Sequence, residues 1–295
     1  MDMTNNVTDT ALIFEGGGMR GSFSAGVVTT LLAEGIFFGY VAGISAGSSN
    51  TVNYISRNPE RARQSFVDFA DNPKFGSWKT WVQGKGMFNA KFIYEESGLP
   101  GGPLPFDFDR FMANHAEFRI GGFDVAAGQT IYWSRKDIHQ TFDLMTRVRA
   151  SSSIPMVMPP VTINGRMYVD GALGIGGGIP LPVAQRDGHT KFFVVLTQKR
   201  GYVKRRQRPS APLRAYYWKH PTIAEGILRR AVEYNGILEE LKDLERRGQA
   251  CLVFPDHMNV TNGTRDVASL QATYEEGVEQ ARRELPRWKE FLNLG

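Results

Sequence analysis

The segment ALIFEGGGMRG, residues 11–21, places an apolar, strand-like run directly before a glycine-rich loop. Apolar residues at helical spacing between Val27 and Leu32 predict a helix after this loop, with an end near Gly35. A second unit of the same kind follows, in which the apolar run 40–42 precedes GISAG at residues 43–47 and another helical pattern. Two successive strand, loop and helix units favour an α/β fold.

The same alternation continues through the rest of the chain. The apolar patterns predict strands near residues 118–126, 129–133, 161–163, 167–169, 191–197 and 251–254, and helices near 46–56, 59–70, 137–148, 222–247 and 266–284. Strands that alternate with helices indicate a three-layer α/β/α fold around a central, mostly parallel sheet.

The domain organisation is predicted to be simple. No internal repeat or break in composition requires a second domain, so we expect one domain over residues 1–295. Its motif-bearing core spans about residues 10–197, and a C-terminal helical extension spans about 212–295. Residues 72–105, rich in Gly, Pro and aromatic side chains, are predicted to form an irregular insert or lid.

Composition and localisation signals point to an ordinary globular protein. The 295 residues are 42% hydrophobic and 22% charged, which suits a chain with a sizeable core. No apolar run has the length of a signal peptide or a membrane span, which favours a cytoplasmic location. The single cysteine, Cys251, lies in an apolar run, so we expect it in a buried strand and without a catalytic role.

Positive charge is concentrated in one segment, residues 199–219. The chain has a net charge of +5, and this segment combines many Lys and Arg residues with Tyr216, Tyr217 and Trp218. It suits either a solvated loop with a buried aromatic edge or peripheral contact with an anionic membrane. No recognition module for nucleic acid accompanies the charge, so a nucleic-acid partner is not expected.

The GISAG segment has the G-x-S-x-G pattern of a nucleophile elbow. Gly43 and Gly47 permit a sharp turn between strand and helix that lifts the central side chain out of the sheet. Ser45 is therefore the candidate nucleophile. A structural turn serine is the alternative, and the flanking strand and helix favour the catalytic interpretation.

The glycine loop before it supplies candidate backbone donors. Gly16, Gly17, Gly18 and Gly21 surround Arg20, and the loop amides could converge on a developing oxyanion. Arg20 could orient this loop or form an ordinary ion pair. The same loop matches a dinucleotide-binding turn, which requires an acidic residue about twenty positions further on. Residues 40–44 contain none, which disfavours that alternative.

The candidate base is a carboxylate. None of the five histidines lies in a motif that marks a catalytic base. Asp170 lies at the end of a predicted strand and is followed by Gly171 and Ala172, so it could approach a serine on a neighbouring strand. An aspartate with a pKa near ~3.9 is a weak base towards an alcohol, so catalysis would depend on oxyanion stabilisation and positioning.

These segments resemble the patatin-like phospholipases, and most of all the short cytosolic bacterial members. GGGMRG, GISAG and the Asp170-Gly171-Ala172 segment correspond to the family motifs GGGxRG, GxSxG and DG[GA], and RASSSIP at residues 149–155 resembles the approach to the family's aspartate. The resemblance covers residues 11–196 and implies a Ser–Asp dyad of Ser45 and Asp170.

The resemblance also implies a function. It implies hydrolysis of fatty acyl esters or phospholipids with no metal or cofactor, with Gly16, Gly17, Gly18 and Arg20 in the oxyanion loop. The alternative is a lipid-binding or regulatory protein of the same fold with little turnover, and a dehydrogenase is a distant third hypothesis. The sequence makes no prediction of oligomeric state.

Overall fold

The computed structural model describes residues 3–76 and 88–295. Eight strands form its central sheet, β1 (Ala11–Phe14), β2 (Tyr40–Ile44), β3 (Glu117–Asp124), β4 (Gln129–Trp133), β5 (Val161–Ile163), β6 (Arg166–Asp170), β7 (Phe192–Val195) and β8 (Ala250–Val253). In the described residues the α-helices are α1 (Gly21–Ala33), α2 (Ala46–Ile55), α3 (Pro59–Phe66), α4 (Phe108–Ala113), α5 (Thr141–Ser152), α6 (Leu181–Arg186), α7 (Ala211–Tyr216), α8 (Pro221–Arg246) and α9 (Val267–Leu292).

The sheet is mixed, with a parallel centre. Its strand order is β5-β6-β3-β2-β1-β7-β8, and β4 also pairs with β3. Strands β3, β2, β1, β7 and β8 run parallel to one another. Strands β4 and β6 pair antiparallel with β3, and β5 pairs antiparallel with β6. The antiparallel strands are therefore confined to one side of the sheet.

Alternate residues of the central strands enter two separate apolar cores. In β1, Leu12 and Phe14 belong to the core shared with α1 and α9, whereas Ala11 and Ile13 belong to the core shared with α6 and α8. All four residues are fully buried, as strands covered by helices on both faces require. The predicted three-layer α/β/α fold is confirmed.

Three predicted helices differ from the structure at their ends. The helix predicted at 59–70 ends at Phe66, and a separate 3₁₀ turn follows at Asp68–Asp71. The helix predicted at 137–148 begins at Thr141, because a reciprocal capping box of Ser134 and Asp137 starts a separate short turn at Arg135–Asp137. The helix predicted at 266–284 continues to Leu292 through Pro286, and buried Trp288 and Leu292 anchor the added turns. The apolar face of α9 thus outweighs the one helical hydrogen bond that Pro286 removes.

The predicted insert, residues 72–105, lies partly outside the described residues, because these do not include 77–87. Residues Lys91–Glu96 form a short helix with π-type hydrogen bonding. The rings of Phe75 and Phe92 both contact that of Phe69, with centroids 5.9 and 5.6 Å from it. The described part of the insert is thus packed onto the fold; its role as a lid stays a prediction.

The other sequence-based expectations concern Cys251 and membrane spans. Cys251 is a buried residue of β8, as predicted, and burial raises the pKa of its thiol to about 12. In the described part of the chain, no helix combines the length and low charge needed to cross a bilayer.

Candidate active site

Strand pairing brings Ser45 and Asp170 together. One edge of β3 pairs with β2 as far as Gly121, which lies opposite Ile44. The next residue of β3, Gly122, pairs with Asp170 of β6. The opposite edge of this part of β3 is occupied by β4. Strands β2 and β6 therefore run towards each other along the same edge, and their carboxyl ends meet.

The side chains at these two ends face each other. The Ser45 hydroxyl is close enough to the Asp170 carboxylate to influence its pKa, and both residues are buried. Asp170 Oδ1 accepts a hydrogen bond from the Ala172 N–H at 2.9 Å. Asp170 thus caps the turn Gly171–Leu173 as well as facing Ser45, and its role as a base stays a prediction.

Ser45 has a strained backbone in a tightly packed turn. Its φ of 57° and ψ of −127° are unfavourable for a residue with a Cβ atom. A Cβ atom on Gly43 would lie 2.2 Å from the Gly47 carbonyl oxygen, and one on Gly47 would lie 2.2 Å from that of Phe14. The elbow therefore requires glycine at both positions.

Ser151 connects the elbow to the neighbouring strand β3. The Ser45 N–H donates to Ser151 Oγ at 2.9 Å, and the Ser151 hydroxyl donates to the Gly121 carbonyl at 2.5 Å. The Asp170 N–H donates to the Ser153 carbonyl at 2.9 Å. The serine-rich end of α5 thus fixes the backbone of both candidate residues. In the sequence analysis, only the family resemblance drew attention to residues 149–155.

The glycine loop leaves a small set of amides for an anion. The Gly16 N–H donates to the Gly178 carbonyl, and the Met19 N–H donates to the Asn262 carbonyl, each at 3.0 Å. Among the described residues, no acceptor is seen for the N–H groups of Gly17 and Gly18. The N–H groups of Gly17 and Gly18 are therefore the candidate donors to an oxyanion. The Gly16 N–H is already used in a hydrogen bond within the fold.

The predicted glycines in and beside the loop are required by close packing. Gly18 has a φ of +56°, and a Cβ atom there would lie 2.5 Å from the Asn262 carbonyl oxygen. Cβ atoms on Gly21 and Gly171 would lie 2.5 Å from Phe66 and 2.4 Å from the Gly121 carbonyl oxygen, respectively. The motif glycines therefore hold the loop, the first helix and the Asp170 turn close together.

Arg20 contacts Asn262 and has no direct ion pair among the described residues. Its guanidinium donates to the Asn262 side chain, and no carboxylate of the described residues lies within 4.0 Å of it. Asn262 therefore makes two hydrogen bonds to the loop. Its carbonyl accepts from the Met19 N–H, and its side-chain oxygen accepts from the Arg20 guanidinium. Asn262 lies beyond the segment covered by the family resemblance, so sequence reasoning missed it.

A buried cluster of charged residues lies behind the loop. Glu15 accepts the Thr197 N–H at 2.6 Å and faces the Tyr234 hydroxyl. Burial raises the pKa of Glu15, and the positive charges of Arg20 and Lys204 oppose that rise. Burial also lowers the pKa of Lys204, to about 8.

Asp170 is affected by the C-terminal part of the chain. Burial raises the pKa of its carboxyl, and the positive charge of Arg230, the Ala172 N–H and the Ser45 hydroxyl oppose this effect. Arg230 lies on α8, and sequence reasoning did not single it out because no local motif surrounds it. The balance leaves a carboxylate that is more basic than an exposed aspartate.

An apolar cavity opens beside Ser45. Its wall consists mostly of aliphatic and aromatic side chains from the helices and the insert, including Met19, Val52, Phe66, Phe69, Phe75, Ile93, Leu104, Met145 and Val148. Tyr94 also lines it and faces the hydroxyl groups of Ser49 and Ser152. None of the five histidines, all of which are described, lines this cavity.

Sequence and structure comparisons give the chain's relatives. A family model described as patatin-like phospholipase matches residues 12–184, more than half of the chain, and a domain of unknown function, DUF6363, matches residues 220–293. The uncharacterized protein YjjU of Escherichia coli K12 is 28% identical over 192 residues, which cover 63% of this chain and 51% of that protein. The chain therefore spans about half the length of this relative.

The comparison with solved structures includes VipD from Legionella pneumophila. Its crystal structure gives a TM-score of 0.49 at 11% identity, over 97% of this chain and 67% of VipD. By the family match over residues 12–184, the chain belongs to the patatin-like phospholipase family.

Proposed function

We propose that this protein hydrolyses fatty acyl esters of lipids, with Ser45 as the nucleophile and Asp170 as the general base. The observation that carries the proposal is the meeting of β2 and β6 on one edge of β3, which brings the two side chains together beside an apolar cavity. A cavity of this composition suits an acyl chain, whose burial is favourable in proportion to its apolar area.

The first half of the proposed reaction forms an acyl-enzyme. Asp170 accepts the Ser45 hydroxyl proton as Oγ attacks the ester carbonyl carbon, and the electron pair of the carbonyl moves to its oxygen. The N–H groups of Gly17, Gly18 and Ala46 are the proposed donors to this oxyanion. The oxyanion collapses, the alcohol leaves, and Asp170 returns the proton to it.

The second half releases the fatty acid. Water attacks the acyl carbonyl while Asp170 accepts one of its protons, and the second oxyanion uses the same amide donors. Collapse breaks the bond to Ser45 Oγ, which regains the proton from Asp170. No metal or cofactor takes part in the proposed sequence.

Hydrolysis of para-nitrophenyl acyl esters tests the activity against the alternative of a binding or regulatory protein. We expect turnover in the wild-type protein, loss of it in Ser45→Ala, and a large loss in Asp170→Asn. Ser56→Ala provides a control, because its hydroxyl donates to the Asn53 carbonyl at the other end of α2. A folded wild-type protein without turnover would favour the lipid-binding alternative.

Peripheral contact with an anionic membrane is a second proposal, supported by residues 199–219. Tyr216 and Trp218 are 67% and 71% exposed, Tyr217 is buried, and Arg205 and Arg206 are exposed. Exposed aromatic and basic side chains together suit an anionic headgroup layer. Co-sedimentation with anionic vesicles should fall when Arg205 and Arg206 are replaced by Glu, and equal binding of the variant would refute this contact.

A further inference from the structure

A buried arginine lines the same cavity as Ser45. Arg61 of α3 is 7% exposed, and its side chain reaches the cavity between Val52, Phe66 and Leu104. A guanidinium in an apolar wall is costly unless it is paired, because burial removes its hydration. The chain therefore keeps a charged group where an ordinary acyl pocket needs only apolar side chains.

The protein itself only partly satisfies this guanidinium. Its Nη1 donates to Asn53 Oδ1 at 2.5 Å, and its Nη2 donates to the Leu104 carbonyl at 3.4 Å. The Phe106 ring centroid lies 4.9 Å from Cζ. In the described ranges, Arg61 Nε is buried without an acceptor. Two of its five N–H groups thus have acceptors there.

No described carboxylate neutralises the charge. None lies within 4.0 Å of Arg61 in residues 3–76 and 88–295, whereas Arg63 on the same helix pairs with Glu60 and Asp68. The internal stretch outside these ranges, residues 77–87, contains no Asp or Glu. Burial lowers the pKa of Arg61 to about 10, so the group stays protonated at neutral pH.

The guanidinium contacts α2 about two turns of helix beyond the nucleophile. Asn53, which it contacts, is on α2, and Ser45 is the residue directly before that helix. Eight residues of helix place Asn53 about 12 Å along the helix axis from Ser45. An extended chain of nine carbons reaches about 10 Å, because each C–C bond of about 1.5 Å advances it by about 1.3 Å. A hydrogen bond of about 2.8 Å between its terminal carboxylate and the guanidinium covers the remainder.

We propose that the cavity accepts acyl chains that end in a carboxylate, with Ser45 at the ester carbonyl and Arg61 at the distal carboxylate. The substrate class is a monoester of a medium-length dicarboxylic acid, as found in oxidatively shortened lipids. This inference rests on the proposed function, since it names the acyl group that the same site hydrolyses. The guanidinium fork matches a carboxylate, and the apolar wall between the two ends contacts the methylene chain.

Two esters of equal carbon number test the proposal. We expect the para-nitrophenyl monoester of azelaic acid to be hydrolysed with a kcat/KM at least as high as that of the nonanoic acid ester. The Arg61→Met variant should lower the ratio of azelate to nonanoate kcat/KM by about a hundredfold or more, because the distal carboxylate then loses its buried partner. Arg61→Lys should keep most of the ratio, and Arg63→Met should leave it unchanged.

The outcomes separate this inference from the proposed function. A wild-type preference for the nonanoate ester, or an unchanged ratio in a folded Arg61→Met variant, would overturn the role of Arg61. If Arg61→Met does not fold, the azelate to nonanoate kcat/KM ratios of the wild type and of Arg61→Lys provide the test.

Absence of turnover with both esters would refute the proposed hydrolase activity instead. Stabilisation of Ser45→Ala against heat by monomethyl azelate, but not by methyl nonanoate, would then still support the carboxylate site; equal stabilisation would overturn it.

Discussion

At the scale of single residues, the buried Asp170 carboxylate is suited to catalysis at a cost in stability. Burial raises its pKa in the folded protein, whereas the unfolded chain ionises it at an ordinary, lower pH. Between these two pKa values the unfolded state has bound fewer protons, so the contribution of Asp170 to the free energy of unfolding falls as pH rises. Above the folded pKa the cost is complete.

The Asp170→Asn variant should therefore be more stable and less active. At neutral pH we expect a higher Tm than in the wild type, with the difference shrinking as pH falls below the unfolded pKa, where the wild-type carboxyl is neutral in both states. Loss of the base should lower kcat by about 10²–10⁴-fold. Thermal denaturation across pH checks the stability, with the exposed Asp109→Asn as control. A lower Tm than wild type at neutral pH would contradict the burial cost.

Removal of the Arg230 charge should shift the pH dependence of activity. The positive charge of Arg230 opposes the rise in the pKa of Asp170, so Arg230→Met should raise that pKa further. The base must be deprotonated to act, and the acidic limb of the kcat/KM profile should move to higher pH. Arg229→Met, the exposed neighbour on α8, should leave the limb in place. A shift to lower pH in Arg230→Met would contradict the account.

At the scale of elements, the elbow between β2 and α2 depends on backbone contacts that leave no room for a methyl group. The Gly47 position faces the carbonyl oxygens of Phe14 and Glu15, at 2.2 and 3.0 Å from an added Cβ atom. Backbone atoms cannot move aside as the end of a flexible side chain can. The strained Ser45 conformation therefore persists because the surrounding strands fix it.

Substitution of Gly47 by Ala should destabilise the fold. We expect a loss of about 1–3 kcal/mol in the free energy of unfolding, from overpacking against β1. Gly236→Ala is the matched control: this position lies in α8, and an added Cβ atom would contact nothing. That change should stabilise the protein by about 0.5–1 kcal/mol. Denaturant unfolding of both variants measures the difference, and equal effects would contradict the packing argument.

The local patterns were sufficient for the central elements but not for every boundary. The continuous apolar runs of β1 and β7 predicted buried strands, because a strand that is buried on both faces is apolar at every position. The start of α5 was wrong by four residues, because the capping box of Ser134 and Asp137 competes with the helical pattern. The short helices α4, α6 and α7 were missed, since six residues carry little periodicity.

At the scale of the whole molecule, the C-terminal part of the chain completes the candidate site. Strand β8 extends the parallel sheet beside β7, and α9 packs on α1, where Gly26 and Gly277 permit close contact. From this part, Asn262 holds the glycine loop and Arg230 affects Asp170. Ser45 and Asp170 were predictable as candidates from local motifs. Asn262 and Arg230 were not, because they interact with residues far away in the sequence and lie in no local motif.

Loss of the Asn262 side chain should impair activity without unfolding the protein. In Asn262→Ala the Arg20 guanidinium loses its acceptor, while the backbone bond from Met19 remains. We expect kcat to fall by about 10-fold as the loop amides become less well placed, with little change in Tm. The exposed Asn259→Ala serves as control. Unchanged kcat in Asn262→Ala would show that the loop does not need this contact.

The most direct test of the Ser45 and Asp170 assignment is intact-protein mass spectrometry after treatment with a fluorophosphonate probe. The account predicts one phosphonyl adduct on wild-type protein, located on the peptide that contains Ser45. It predicts slower labelling of Asp170→Asn and none of Ser45→Ala. Labelling of Ser45→Ala equal to that of the wild type would contradict the central claim.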